Sequence, residues 1–221
     1  MTDLLMTGGL VADNKLTGIY AILPADLDMD NLLVKAEAAL KGGVRILQFR
    51  DKKQGYKRQI KRAKALRSIT RDYGAHFIIN DSVTLALGAK ADGVHLGRDD
   101  APNLIQLRNE VGDDFLIGIT CRADAAFAKS ALKDGASYIS FGAVWKTHSK
   151  PEVPEIGLNR LVKARQMFPD ANLCAIGGIT EHNIAQVKAA GADCAAVISG
   201  LFAADDIQIR AEKLVKIWNR V

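Results

Sequence analysis

Gln48, Arg50 and Lys52 occupy alternate positions where the apolar run VRILQFRDK ends. In an extended strand alternate side chains share one face, so an amide and two cations converge there. Cations withdrawn from water need a counter-charge. A diphosphate engages two of them better than a single carboxylate does. Charges that simply emerge into solvent are the competing explanation. Asp81 and Asp100 follow two later apolar runs. Taken singly, Asp81 or its neighbour Ser82 reads as a helix N-cap, and Asp100 as a cap ahead of Ala101-Pro102. Taken with Arg50, Lys52 and Lys150, the two acids suit a magnesium ion that joins carboxylates to phosphate oxygens. Gly177-Gly178, Thr180 and Ser199-Gly200 suggest a second anion site, built from backbone N–H groups and hydroxyls. Thr147 and Ser149 alternate on a further polar segment and add hydroxyl donors.

These residues need a scaffold that brings distant segments to one rim. A local pattern recurs four times: an alanine-rich helix tail, a glycine turn and a short apolar run. The copies are AALKGGVRIL (38–47), LALGAKADGVHL (85–96), SALKDGASYISF (130–141) and KAAGADCAAVI (188–198). Glycine after a helix adopts the left-handed cap at little cost, and the apolar run then starts a strand. TGIYAIL (17–23), HFIIN (76–80), FLIGIT (115–120) and NLCAIGG (172–178) complete eight strand candidates. Their nearly continuous apolar character is that of parallel strands covered on both faces. Eight β–α units in 221 residues fit a single (β/α)8 TIM barrel of the α/β class. Residues 1–16 read as a short N-terminal extension and 17–221 as the catalytic domain. An open doubly wound sheet is disfavoured, since no G-x-G-x-x-G follows the first strand. In a closed barrel the site lies at the C-terminal strand ends. Those ends carry Gln48–Lys52, Asn80-Asp81, Thr120, Trp145–Lys150, Gly177-Gly178 and Ser199-Gly200.

Composition narrows the function classes. Hydrophobic residues make up 48% and charged residues 25%, ordinary for a soluble domain. No stretch reaches the roughly 18 apolar residues of a membrane helix. The N-terminus lacks the pattern of a secretory signal, so a cytoplasmic location is expected. Cys121, Cys174 and Cys194 form no C-x-x-C and read as buried free thiols. The net charge of +5 owes much to YKRQIKRAKALRSITRDY (56–73). Ile60, Ala63, Leu66 and Ile69 recur there at helical spacing, so a solvated amphipathic helix accounts for the charge without nucleic acid. Small-molecule partners are expected, and the composition is compatible with a homo-oligomer.

In order along residues 17–200, five segments resemble the thiamine phosphate synthase family, also called thiamine phosphate pyrophosphorylase. QFRDK is similar to its Q-L-R-x-K, INDSVTLAL to I-N-D-x-x-x-x-A, and ADGVHLGRDD to A-D-G-V-H-x-G-x-x-D. AIGGI and AAVISG are similar to I-G-G-I and V-x-x-I-S-A. The resemblance implies a TIM barrel that joins a pyrimidine diphosphate to a thiazole phosphate, releasing diphosphate with magnesium's help. It implies that Gln48, Phe49, Arg50, Asp51, Lys52, Asn80, Thr120 and Lys150 hold the pyrimidine diphosphate. Arg50, Lys52 and Lys150 would be catalytic, and Asp81 and Asp100 would bind magnesium. Thr147, His148, Ser149, Gly178, Ile198 and Ser199 would hold the thiazole phosphate. Three departures stand out: Thr120 in place of serine, Cys121-Arg122 in place of a segment that often carries histidine, and WKTHSK in place of aromatic-Pro-Thr-x-Thr-Lys. A related thiazole tautomerase and a non-catalytic phosphate-binding barrel are the rival readings. The tautomerase depends on a histidine after the fifth strand, where this chain has Arg122.

Overall fold

The computed structural model describes residues 15–98, 101, 103–147 and 153–221. Asp100, His148, Ser149 and Lys150, all expected in the site, lie outside the described residues, as does most of the expected N-terminal extension. Eight parallel strands close in sequence order: β1 (Gly18–Ile22), β2 (Ile46–Phe49), β3 (His76–Asn80), β4 (Gly93–Leu96), β5 (Leu116–Arg122), β6 (Tyr138–Gly142), β7 (Leu173–Ile176) and β8 (Cys194–Val197). The seam pairs Tyr20 of β1 with Ala196 of β8. The helices between them are α1 (Met29–Lys41), α2 (Tyr56–Asp72), α3 (Val83–Ala89), α4 (Leu104–Val111), α5 (Ala125–Lys133), α6 (Gly157–Met167) and α7 (Ile184–Ala189). After β8 come α8 (Ser199–Phe202) and α9 (Ile207–Arg220). This is the (β/α)8 barrel expected from the repeated unit.

Strand alternation divides the apolar residues into two layers. Tyr20, Ile22, Ile46, Ile78, Leu116, Tyr138, Cys174, Cys194 and Ala196 fill the interior, and Leu16 joins them ahead of β1. The Leu16 carbonyl accepts a hydrogen bond from Asn172 Nδ2 at 2.8 Å. The opposite faces, with Leu47, Phe49, Phe77, Ile79 and Phe141, pack under the helices. Ala63, Leu66 and Thr70 of α2 are buried while Lys57, Arg58, Lys61, Lys64 and Arg71 are exposed, so the basic segment is an amphipathic helix. All three cysteines are free and buried.

The structure adds detail at the helix ends. Asp28, Ser82, Asn103, Asp124 and Asp206 each cap a helix by accepting from the backbone N–H three residues on. Asn103, not Asp100, therefore caps α4. In three of the four repeats the glycine takes positive φ as expected, at Gly43, Gly135 and Gly191. The second departs from that rule. Lys90 takes the left-handed cap, while Gly88 lies within α3, where a Cβ would come 2.8 Å from the Tyr56 hydroxyl.

The N-terminal strand ends are tied by arginines from the preceding helices. Arg67 of α2 donates two hydrogen bonds of 2.7 Å to Asp92, whose Oδ2 also accepts from Phe77 N. Arg165 of α6 donates through Nη2 to Asp193, which also accepts from Leu173 N. These equivalent pairs anchor β3 and β7 at the end opposite the expected site. In this fold that end serves stability rather than chemistry.

Candidate active site

The C-terminal strand ends enclose a cavity of about 770 Å³, within the range of small-ligand sites. Every strand contributes. Ile22 comes from β1, Gln48, Arg50 and Lys52 from β2 and its loop, and Asn80 and Asp81 from β3. His95 and Arg98 follow from β4, Thr120 to Arg122 from β5, and Lys146 and Thr147 from the segment after β6. Gly177, Gly178 and Thr180 follow β7, and Ile198 to Gly200 follow β8.

The β2 end bears out the alternation. Strand β2 stops at Phe49, yet Gln48, Arg50 and Lys52 all reach the cavity while Phe49 and Asp51 do not. Phe49 is buried beneath the helices, with the Arg62 guanidinium 5.7 Å from its ring centroid. Asp51 pairs with Arg62 at 3.2 Å and accepts from the backbone N–H groups of Lys53 and Gln54. Neither Phe49 nor Asp51 is among the residues that line the cavity. They brace from behind the loop that presents Arg50 and Lys52.

Lys52 Nζ stands 2.8 Å from Asp81 Oδ2, with the two side chains 54% and 26% exposed. A pair this open contributes only about 0.2–1 kcal/mol to stability. Its significance lies in placement: Asp81 keeps a hard oxygen beside a cation inside the cavity. Asp81 also adopts φ of 64°, a left-handed conformation uncommon outside glycine. Its N–H donates to the His95 carbonyl at 2.8 Å, and Ser82 takes the capping role for α3. Arg50 lines the cavity and forms no ion pair among the described residues. Arg98 is otherwise committed, 2.5 Å from Asp124 and 4.2 Å from the Phe127 ring centroid.

The opposite wall carries little charge. Gly177 and Gly178 have φ of 103° and 64°, and a Cβ on either would meet the segment after β6 at 2.4 and 2.7 Å. Only glycine permits that approach. Asn183 Nδ2 ties the Gly178 carbonyl at 2.9 Å. Thr180 accepts at its hydroxyl from His182 N and at its carbonyl from Ile184 N, capping the turn into α7. Ile198 and Ser199 sit where α8 begins, and the first N–H groups of a helix have no partner within it. Thr147 lines the same side and is engaged with neighbouring groups.

His95, Tyr20 and Tyr138 are the residues that the sequence reading passed over. His95 lines the cavity and bonds Thr120, while the tyrosines lie below it. Inward alternation along GVHL could have found His95. Cys121 also lines the cavity, but burial pushes its thiol up to about 12, so it is no nucleophile at neutral pH. The exposed Arg122 stands with φ of 56° beside a bulge in β5.

The family model for thiamine monophosphate synthase matches residues 19–201. The thiamine-phosphate synthase of Thioalkalivibrio sulfidiphilus is 43% identical over 205 residues, covering 92% of this chain and 96% of that protein. That of Acidithiobacillus ferrooxidans is 42% identical over 211 residues, covering 94% and 96%. Among solved structures, thiamine phosphate pyrophosphorylase from Pyrococcus furiosus superimposes with a TM-score of 0.79 at 32% identity, covering 91% of this chain and 96% of that one. Orotidine 5'-phosphate decarboxylase from Pyrococcus horikoshii, at 13% identity and a TM-score of 0.67, shares the barrel alone.

Proposed function

Because the chain belongs to the thiamine monophosphate synthase family, we propose that it condenses 4-amino-2-methyl-5-(diphosphooxymethyl)pyrimidine with a thiazole phosphate. The products are thiamine phosphate and diphosphate. One observation carries this reading: a single cavity holds a cationic wall of Arg50 and Lys52 beside Asp81, and a neutral wall of glycine turns and a helix start. The two walls suit the two anionic groups of the substrate pair.

The chemistry needs no protein nucleophile. The bond between the pyrimidine methylene and the diphosphate oxygen breaks, and the electron pair leaves with diphosphate. The electron-rich aminopyrimidine delocalises the resulting positive charge, and the thiazole nitrogen then bonds to the methylene carbon. Arg50 and Lys52 stabilise charge as it develops on the leaving group, a preorganised electrostatic effect. Lys150 is assigned the same task. Gln48, Asn80 and Thr120 orient the pyrimidine. Thr147, His148, Ser149, Gly178, Ile198 and Ser199 fix the thiazole phosphate, so that attack is a matter of proximity. Ile22, Ile176 and Val197 limit water that would intercept the cation.

Asp81 fits magnesium: its oxygen already faces a cation, the Lys52 ammonium, in a cavity with room for phosphate. Asp81 and Asp100 would hold the ion, which when bound offsets charge on the departing diphosphate. A cytoplasmic enzyme acting on small molecules accords with the lack, among the described residues, of any helix long and apolar enough to cross a membrane. Arg122 speaks against the tautomerase reading. The test is to mix both substrates with magnesium and follow diphosphate: release with thiamine phosphate formation is expected. Thiazole isomerisation alone, or binding without release, would overturn the proposal.

A further inference from the structure

Beneath the cavity floor, five side chains from five strands form one chain of hydrogen bonds. Gln48 Nε2 donates to the Tyr20 hydroxyl at 2.8 Å, and the Tyr20 and Tyr138 hydroxyls are 2.9 Å apart. The Tyr138 hydroxyl is 3.0 Å from His95 Nδ1, and His95 Nε2 is 2.8 Å from Thr120 Oγ1. Gln48, His95 and Thr120 line the cavity, whereas both tyrosines are buried below it. The crossing is built for this path. A Cβ at Gly118 would fall 2.0 Å from the Tyr138 ring, so only glycine lets that ring lie across β5.

The chain has a direction. Each tyrosine hydroxyl has one hydrogen, and burial holds both hydroxyls well above their ordinary pKa, so the hydrogens stay. With Gln48 donating to Tyr20, the Tyr20 hydrogen goes to Tyr138. A buried donor left without an acceptor carries the full cost of its desolvation. The Tyr138 hydrogen then goes to His95 Nδ1, which must accept. His95 therefore carries its proton on Nε2 and donates to Thr120. What remains for the cavity is an acceptor, Gln48 Oε1, and a donor, the Thr120 hydroxyl.

We propose that this chain is a polarity lock: Tyr20, Tyr138 and His95 act as positioning residues that fix Gln48 as acceptor and Thr120 as donor, and so select an aminopyrimidine. The inference rests on the substrate reading above. An exocyclic amine donates and a ring nitrogen accepts, the complement of what the two ends present. A site with fixed polar groups rejects an analogue lacking the matching group more strongly than apolar packing can.

Two measurements test the lock. In the unliganded wild type, 15N chemical shifts of His95 are expected to show the Nε2–H tautomer, and in Tyr138→Phe a mixture of tautomers. Binding of the aminopyrimidine diphosphate and of its counterpart without the amino group is then compared, with thiazole phosphate absent. Tyr138→Phe is expected to reduce the preference for the amino compound about tenfold while leaving the KM for thiazole phosphate unchanged. A wild-type His95 protonated on Nδ1 would mean the chain runs in reverse with the Gln48 amide turned over, and would overturn the proposal. So would a Tyr138→Phe variant that keeps both tautomer and preference. A wild type that prefers the aminopyrimidine yet never forms thiamine phosphate would uphold the lock and refute the condensation. Condensation without the lock would do the reverse.

Discussion

Replacing Asp81 separates what the carboxylate does for the fold from what it does for turnover. Its pairing with Lys52 at 2.8 Å is half exposed, so losing it costs about 0.2–1 kcal/mol. In a domain of this size that moves Tm by no more than about 4 °C. Asparagine tolerates the left-handed backbone, so Asp81→Asn keeps the φ of 64° without new strain. Asp81→Ala keeps the Cβ but loses the short polar side chain that lets Asp and Asn adopt that conformation readily, so it is the less stable of the two variants. For turnover the scale differs. Loss of one preorganised charge-stabilising group costs about 3 kcal/mol, or ~100-fold in rate. The expected pattern is a nearly unchanged Tm for Asp81→Asn, a lower one for Asp81→Ala, and diphosphate release down at least ~100-fold in both. Differential scanning fluorimetry and a coupled diphosphate assay across a magnesium titration supply the data, and half-saturation should move to higher magnesium. Wild-type turnover in Asp81→Asn would refute the reasoning, as would a rate loss explained by unfolding.

Other outcomes follow from the same geometry. Lys52→Ala should cut diphosphate release about 100-fold with circular dichroism unchanged; full activity would remove Lys52 from the site. Asp92→Ala, at the far end of the barrel, should lower stability by roughly 2–3 kcal/mol in urea, since it strips hydrogen bonds from the Arg67 guanidinium and Phe77 N. The rate of the folded fraction should not change. The Cys121 thiol, raised by burial from 9.0 to about 12, should resist alkylation at pH 8 until the chain is unfolded. The linked stability has a definite sign: the folded thiol keeps its proton where the unfolded one loses it. That contribution is complete below pH 9 and is lost as pH rises from 9 to 12. Burial raises Tyr20 in the same direction, so urea midpoints should fall across that window; a flat profile would contradict the burial.

The barrel could be read from sequence because its strands are nearly continuous apolar runs separated by capped helices. Those signals are local. The β2 end was legible for the same reason, since alternation alone sends Gln48, Arg50 and Lys52 one way and Phe49 and Asp51 the other. Phe49 packs in the outer core and Asp51 pairs with Arg62 of α2. The Gln48–Thr120 chain was not legible. Its members lie on β1, β2, β4, β5 and β6, and their meeting depends on the closure and register of the barrel. Lys90 departs from the glycine-cap rule: it holds the left-handed cap, while Gly88 lies inside α3 where Tyr56 approaches.

The central claim is that one cavity, cationic on one wall and neutral on the other, joins two anionic substrates by expelling diphosphate. It is tested most directly by 31P NMR of the protein with magnesium and both substrates, alongside controls omitting either one. The account predicts one diphosphate for each thiamine phosphate formed, and no thiamine phosphate in either control. Loss of the pyrimidine diphosphate at the same rate without thiazole phosphate, or persistence of both substrates in the complete mixture, would contradict it.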